Sequence, residues 1–346
     1  MNINIRWQTI GPMLEIMKSE YYEDIEGDLR QLLCHQDYEV EILRYNKKGL
    51  EFGFSKEDVH EFMLHCMGVK KTIITKERLI ERKTEITAFI EQIRKNSFDF
   101  DVKKKHLELI VEEAIKRASF GLERTNKLPD VDVIFSVGLG ATGGWFYHNI
   151  VHIDVVQFMN PFKEDDILSV LAHEIHHIGM MKFYQELWES GISLKGKFLS
   201  TFAGEGLAVK YGNNGSGFIT KAIYDTKIDA GLDHDDFNFL KNEFDQMYLE
   251  FKNTLMHIKT GEIDSSDKLN EVIRRYWTNL GTGNIPRYHS RIYYFGCEIW
   301  GLLHDTYGTE EVFDILRDME NFEVYFNKAL KQIEKEELLL NTYLGN

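Results

Sequence analysis

From Trp7 to about Leu122, apolar residues recur at three- and four-residue spacing, the period of amphipathic helices, and only Pro12 interrupts the pattern. Ser55 followed by Asp58 has the form of a helix start, with a hydroxyl and a carboxylate placed to satisfy free backbone N–H groups. The stretches Arg78 through Phe89 to Ile93 and His106 through Ile110 to Ile115 each set one apolar stripe against charged faces. They predict helices that serve packing rather than chemistry.

The pattern changes at Leu128-Pro129-Asp130. Val131 to Val137 is a short β-branched run, and Ile150 to Phe158 supplies a second after a glycine-rich connection, so a small sheet is expected here. Asp165 to about Lys182 returns to helical spacing, with acidic residues at its start and Ile167, Val170, Leu171, Ile175, Ile178 and Met181 on the expected buried side. A second helix is expected around Lys197 to Lys210. Gly212 to Gly217 reads as a linker or exposed loop. Beyond it, Phe237, Leu240, Phe244, Met247, Phe251, Leu255 and Ile258 form a long stripe ending before Gly261, and Gly308 ends a helix running from about Tyr293. The expectation is a mainly helical α+β protein with an N-terminal helical region (1–126), a core with a small sheet and a central helix (127–211) and a C-terminal helical lobe (212–346).

Charge and cysteine usage narrow the class. A formal net charge of −15 repels nucleic acid and anionic membrane alike and suits a cation as cofactor. The 3 cysteines, Cys34, Cys66 and Cys297, are far apart and form no CxxC, so neither a disulfide framework nor a cysteine zinc site is indicated. Met1 to Leu14 lacks the form of a secretory leader, and no run of about eighteen apolar residues occurs. A cytoplasmic location is the expectation, with oligomeric state open.

The candidate chemistry lies on the central helix. His173-Glu174-Ile175-His176-His177 has the spacing HExxH, and four residues on a helix bring two imidazoles to one face, one turn apart, where both reach a single Zn2+. Three protein ligands leave a fourth position for a water whose pKa falls toward about 7. Glu174, beside the first ligand, is the candidate base for that water. His176 faces about a hundred degrees away from His177 and reads as a solvent-facing or supporting group. For the third ligand, Glu205 stands out inside the small, apolar stretch Phe202-Ala203-Gly204-Glu205-Gly206-Leu207-Ala208, with Glu186, Glu189 and His234 as lesser candidates. Gly204 and Gly206 each cost a helix about 1 kcal/mol, a cost explained if they let this helix approach the HExxH helix closely.

Between His173 and Ala208 the chain resembles the gluzincin metallopeptidases, the thermolysin-like group in which HExxH is completed by a glutamate from the next helix, and it is similar to several uncharacterised bacterial zinc peptidases. The resemblance implies a thermolysin-like zincin core and hydrolysis of peptide bonds in a peptide or protein substrate. It also implies an oxyanion donor from the C-terminal lobe, where Arg287 to Gly296 is rich in such groups. Tyr293 is most similar to the family residue, followed by His289 and Tyr294. By the same resemblance, an edge strand beside the metal helix, either Ile150 to Val156 or Gly138 to Trp145, pairs with extended substrate. The chain departs from the thermolysin pattern in having Gly204 before the ligand glutamate and Val209 four residues after it, which leaves the groups that orient the imidazoles unassigned.

Gly138-Leu139-Gly140-Ala141-Thr142-Gly143 matches GxGxxG after an expected strand, but Trp145 to Val156 reads as strand, so a pyrophosphate would lack its helix N-terminus. A flexible hairpin loop is the preferred reading, with His148 and His152 structural or exposed. Three rivals to a peptidase remain: another zinc hydrolase, a metal-binding regulator descended from a peptidase, and a nucleotide-binding oxidoreductase using this loop.

Overall fold

A computed structural model describes residues 2–19, 22–47, 52–95, 98–124, 127–139, 143–158, 162–212, 234–278 and 288–340. In chain order the elements are β1 (Ile3–Arg6), α1 (Ile10–Lys18), α2 (Tyr22–Leu32), α3 (Gln36–Asn46), α4 (Lys56–Cys66), α5 (Glu77–Arg94), α6 (Asp101–Phe120), β2 (Val131–Ser136), β3 (Gly144–Tyr147), β4 (Ile150–Asp154), α7 (Val155–Phe158), α8 (Glu164–Glu189) and α9 (Leu194–Gly212). There follow α10 (His234–Asn242), α11 (Phe244–Thr260), α12 (Ser266–Tyr276), α13 (Tyr288–Tyr307), α14 (Thr309–Arg317) and α15 (Phe322–Gln332). The protein is mainly helical with one small sheet. Its internal contacts group residues 1–113 with 129–174, and 114–128 with 175–346.

In the first group the sheet has the order β1-β2-β4-β3. β1, β2 and β4 are mutually parallel, and β3 runs antiparallel along β4. β2 is paired on both sides, which explains why Val131, Val133, Ile134 and Phe135 are all at most 1 % exposed where an edge strand would alternate. The sheet extends beyond the segment where strands were expected, because Ile3–Arg6 pairs with Val131 to Ile134. Four residues are too few to show a period, and their partners lie far along the chain. The second β-branched run is also divided. Ile150–Asp154 is strand, but the Asp154 carboxylate accepts the Val156 N–H (3.0 Å) and Val155–Phe158 turns into α7. The start at Ser55 is a full capping box with Asp58.

Gly138 to Gly143 does not form a hairpin loop as expected. It leads from β2 to β3, which are not neighbours, and the hairpin is the β3–β4 pair turning at His148 and Asn149. Residues 140–142 of the glycine run lie outside the described residues. Gly138 donates its N–H to Asp154 (2.8 Å), and Leu139 donates to Glu41 (2.9 Å). A Cβ on Gly138 would fall 2.7 Å from Asp154 Cγ, so only glycine fits against that carboxylate. Asp154 is in turn paired with the buried Arg82 guanidinium. Beside them His152 is fully buried, with Nε2 2.6 Å from the Ser136 hydroxyl and its ring stacked on Trp145 at 4.7 Å. Burial, reinforced by the Arg44 and Arg82 cations, lowers its pKa to about 3, so this imidazole is neutral and structural. His148, at the exposed turn with φ 54°, is the other histidine of this region.

In the second group α9 and α13 cross where Gly206 meets Gly296. A Cβ on Gly206 would fall 2.1 Å from the Gly296 carbonyl carbon. The glycine therefore brings α9 against α13 and not, as expected from sequence, against the HExxH helix. Gly204 has only the Tyr184 side chain nearby, at 3.9 Å from its hydroxyl. Phe198, Phe202, Phe251, Trp277 and Phe295 form an aromatic core around this crossing, with Phe202 and Trp277 edge to face at 4.7 Å. The stripe from Phe237 to Ile258 belongs to two helices, α10 and α11, broken at Glu243; Leu240, Met247 and Phe251 are buried, while Leu255 and Ile258 are partly exposed. Gly261 (φ 79°) caps α11 in the left-handed region, and Gly308 (φ 89°) separates α13 from α14. The glycine-rich segment 213–217 lies outside the described residues; Gly212 ends α9.

Candidate metal centre

α8 begins with Glu164, Asp165 and Asp166, whose charges favour a helix N-terminus. Its apolar positions hold it in place, with Ile167, Leu171 and Ile175 fully buried and Ile178 at 2 % exposure. Met181, expected on this side, is exposed, and Met180 is buried instead. Because the helix is uninterrupted, His173 and His177 stand one turn apart on the same face. Glu205 comes from α9, and its Oε2 lies 3.2 Å from His177 Nε2. One donor atom each from His173, His177 and Glu205 lie within 4.8 Å of one another.

Two donors about 2.0–2.1 Å from one tetrahedral ion lie roughly 3.4 Å apart, so the 3.2 Å separation of His177 and Glu205 is compatible with a shared ion as well as with a direct ion pair. Two imidazole nitrogens and a carboxylate oxygen also form a donor set suited to zinc with a position left open. His173 is 4 % exposed, while the side chains of His177 and Glu205 are partly accessible, so the cluster is anchored at one end and open at the other.

Tyr184 had not been singled out in the sequence. Burial, and then the Glu205 carboxylate, push its phenol pKa well up, and its hydroxyl is buried with no hydrogen-bond partner among the described residues. The available signal was its position seven residues after His177, two turns along the same helix face. Lys47, at the end of α3, was also missed, and Glu174 is among the charges acting on its ammonium.

The remaining candidates fall elsewhere. His176 is fully buried, its ring 5.0 Å from that of Tyr211, which excludes the solvent-facing alternative. Glu186 and Glu189 are exposed, engaged with Lys182 and Gln185. The side chains of His234 and His289 lie outside the described residues. Tyr293 is on α13, partly exposed, one turn before the Gly296 that meets Gly206; Tyr294 is buried at 2 % exposure.

A model of the family described as "Putative zinc dependent peptidase (DUF5700)" matches residues 66–335. The chain belongs to that family. The matched span includes β2 to β4, α8, α9 and α13, and with them every candidate ligand. No curated protein and no solved structure matches the chain. A family so described, and a His/His/Glu cluster able to hold a metal, agree on zinc as the cofactor class. No helix among the described residues is long and apolar enough to cross a membrane.

Proposed function

We propose that the protein is a zinc-dependent peptidase of the gluzincin type, holding zinc through His173, His177 and Glu205. The observation that carries this reading is the convergence of the three donors, with a base candidate beside the first of them. When bound, zinc supplies a Lewis acid that polarises the scissile carbonyl and lowers the pKa of a coordinated water toward about 7. Glu174 takes a proton from the nucleophilic water at its carboxylate and returns it to the leaving amine. The Tyr184 hydroxyl, on which the Glu205 charge acts, is the proposed group to orient that carboxylate once zinc is held, in the position left unassigned by the departure at Gly204. Tyr293 is the proposed donor to the developing oxyanion.

The substrate is a peptide or protein segment in extended form. Of the two edges expected from the resemblance, Ile150 to Val156 is excluded because β4 is paired on both sides, whereas β3, which begins within Gly138 to Trp145, has β4 as its one neighbour among the described strands. A strand in that position supports strand addition. The glycine run leads into β3 and not into a helix, which removes the support for dinucleotide binding.

Glu174→Gln is the test. Zinc content measured by atomic emission should stay at the parental level, while kcat falls by about 10²- to 10⁴-fold. Full activity in that variant would remove Glu174 from the mechanism.

A further inference from the structure

The described arginines with little exposure meet carboxylates. Arg6 lies 3.1 Å from Asp37, Arg82 is paired with Asp154, and Arg291 lies 3.0 Å from Glu250 and 3.1 Å from Glu243. Arg44 differs. In a chain with 56 acidic residues, its side chain meets none of the described carboxylates in an ion pair, and its Nε and Nη1 are buried without a hydrogen-bond partner among the described residues. Its guanidinium is instead held between aromatic rings, 4.9 Å from the Tyr45 centroid and 5.5 Å from that of Trp145. Trp145 lies on the edge strand β3, is 1 % exposed, and is fixed from its other side by the stacked ring of His152.

A second cation stands beside the first. Lys47 follows Arg44 by three residues and donates its backbone N–H to the Arg44 carbonyl (3.3 Å). It too has no carboxylate partner within ion-pair distance among the described residues. Desolvation and the Arg44 charge lower its pKa, and the Glu174 carboxylate opposes them, so the ammonium lies within electrostatic reach of the proposed base. All these residues belong to the first group of contacts. Two neighbouring cations repel each other, and the buried N–H groups of Arg44 are left unsatisfied. The repulsion is relieved if an anion is received between them.

We propose that Arg44 and Lys47 form a carboxylate-binding subsite beside the strand β3, and that the preferred peptide carries a carboxylate there. The proposal rests on the peptidase reading and deepens it by naming a substrate class. The carboxylate has two sources: the C-terminal α-carboxylate of the peptide, which would make the enzyme a carboxypeptidase, or an internal acidic side chain. The Arg44 guanidinium lies against Trp145, and a lysine at position 44 would not reproduce its planar cation.

The experiment uses the zinc-loaded full chain carrying Glu174→Gln and four acetylated pentapeptides. They are identical except for a free or amidated C-terminus and for glutamate or glutamine at one internal position. Calorimetry should show at least one carboxylate tightening binding by 10-fold or more, and the peptide pair that shows it identifies the source. Arg44→Met should abolish that gain while leaving the affinity of the amidated, glutamine-containing peptide within about twofold, and Arg44→Lys should restore only part of it. Lys47→Met, at an exposed position, provides the same test if the Arg44 variants do not fold. Equal binding of all four peptides, or a preference that survives both Arg44→Met and Lys47→Met, overturns the proposal. The parental zinc-loaded chain is assayed with the same peptides for cleavage. Absence of product from every peptide counts against the peptidase reading and leaves the binding comparison to decide the subsite.

Discussion

The proposed metal ligands are ordinary residues made useful by position. His177 and Glu205 come together because one lies on α8 and the other on α9, and Tyr184, two turns further along α8, is near enough for the Glu205 charge to act on its phenol. A Tyr184→Phe variant removes only the hydroxyl. It should lower zinc affinity by about 10-fold in competition with a chromophoric chelator, with little change in the melting temperature of the metal-free chain. His152 provides a test independent of the metal. Its pKa of about 3 in the folded state lies below the ordinary value near 6.5, so the unfolded chain takes up a proton first as pH falls. Its contribution is therefore complete above about pH 6.5 and is lost as pH falls toward 3, at about 1.4 kcal/mol per pH unit. In excess chelator, the loss of urea stability between pH 7.0 and 5.5 should be smaller in His152→Gln by roughly 1 to 2 kcal/mol, whatever the stability of that variant at pH 7.0. An unchanged difference would show that the imidazole is not held neutral. HExxH was legible at this scale because both ligands lie on one helical turn; Tyr184 was partly legible, by its spacing of seven from His177.

At the scale of elements, the position of Glu205 depends on how α9 packs. Its two glycines look equivalent in the sequence, but only Gly206 lies in a helix crossing, against the Gly296 backbone, while Gly204 has nothing closer than the Tyr184 ring and hydroxyl. Gly206→Ala should force α9 and α13 apart, cost about 1–3 kcal/mol or more in chemical denaturation, and weaken zinc binding by moving the neighbouring Glu205. Gly204→Ala should be neutral or stabilising by up to about 1 kcal/mol, since alanine is favoured over glycine within a helix. Equal effects of the two substitutions would contradict the crossing. The sequence marked both residues as costly to a helix but did not show which neighbour required them, because packing partners are set by Gly296, some ninety residues away. The same reason hid β1 and divided the long stripe ending before Gly261 into α10 and α11: periodicity reports which face is buried, not what buries it or where a helix breaks.

For the whole molecule, the proposed metal site makes binding and folding linked quantities. An ion held only by the folded chain raises its stability by about 4 kcal/mol when free zinc is 1,000 times the dissociation constant. Removal of zinc by chelator should therefore lower the melting temperature in calorimetry, and zinc readdition should restore it. Glu205→Gln should show a much smaller response. A chain whose melting is indifferent to zinc would have no specific site of this kind.

Sequence alone determined what local geometry determines: a mainly helical chain with a small sheet near Val131 and Ile150, the HExxH turn, and an acidic net charge. These depend on residues within a few turns of one another, or on composition summed over the chain. The tertiary structure decided that Glu205, and not Glu186 or Glu189, meets His177, that β3 is the outer strand of the described sheet, and that Arg44 rests on Trp145 with no ion-pair partner among the described carboxylates. Each joins positions far apart in the chain, and no local period records which surfaces will be pressed together when the apolar faces leave water.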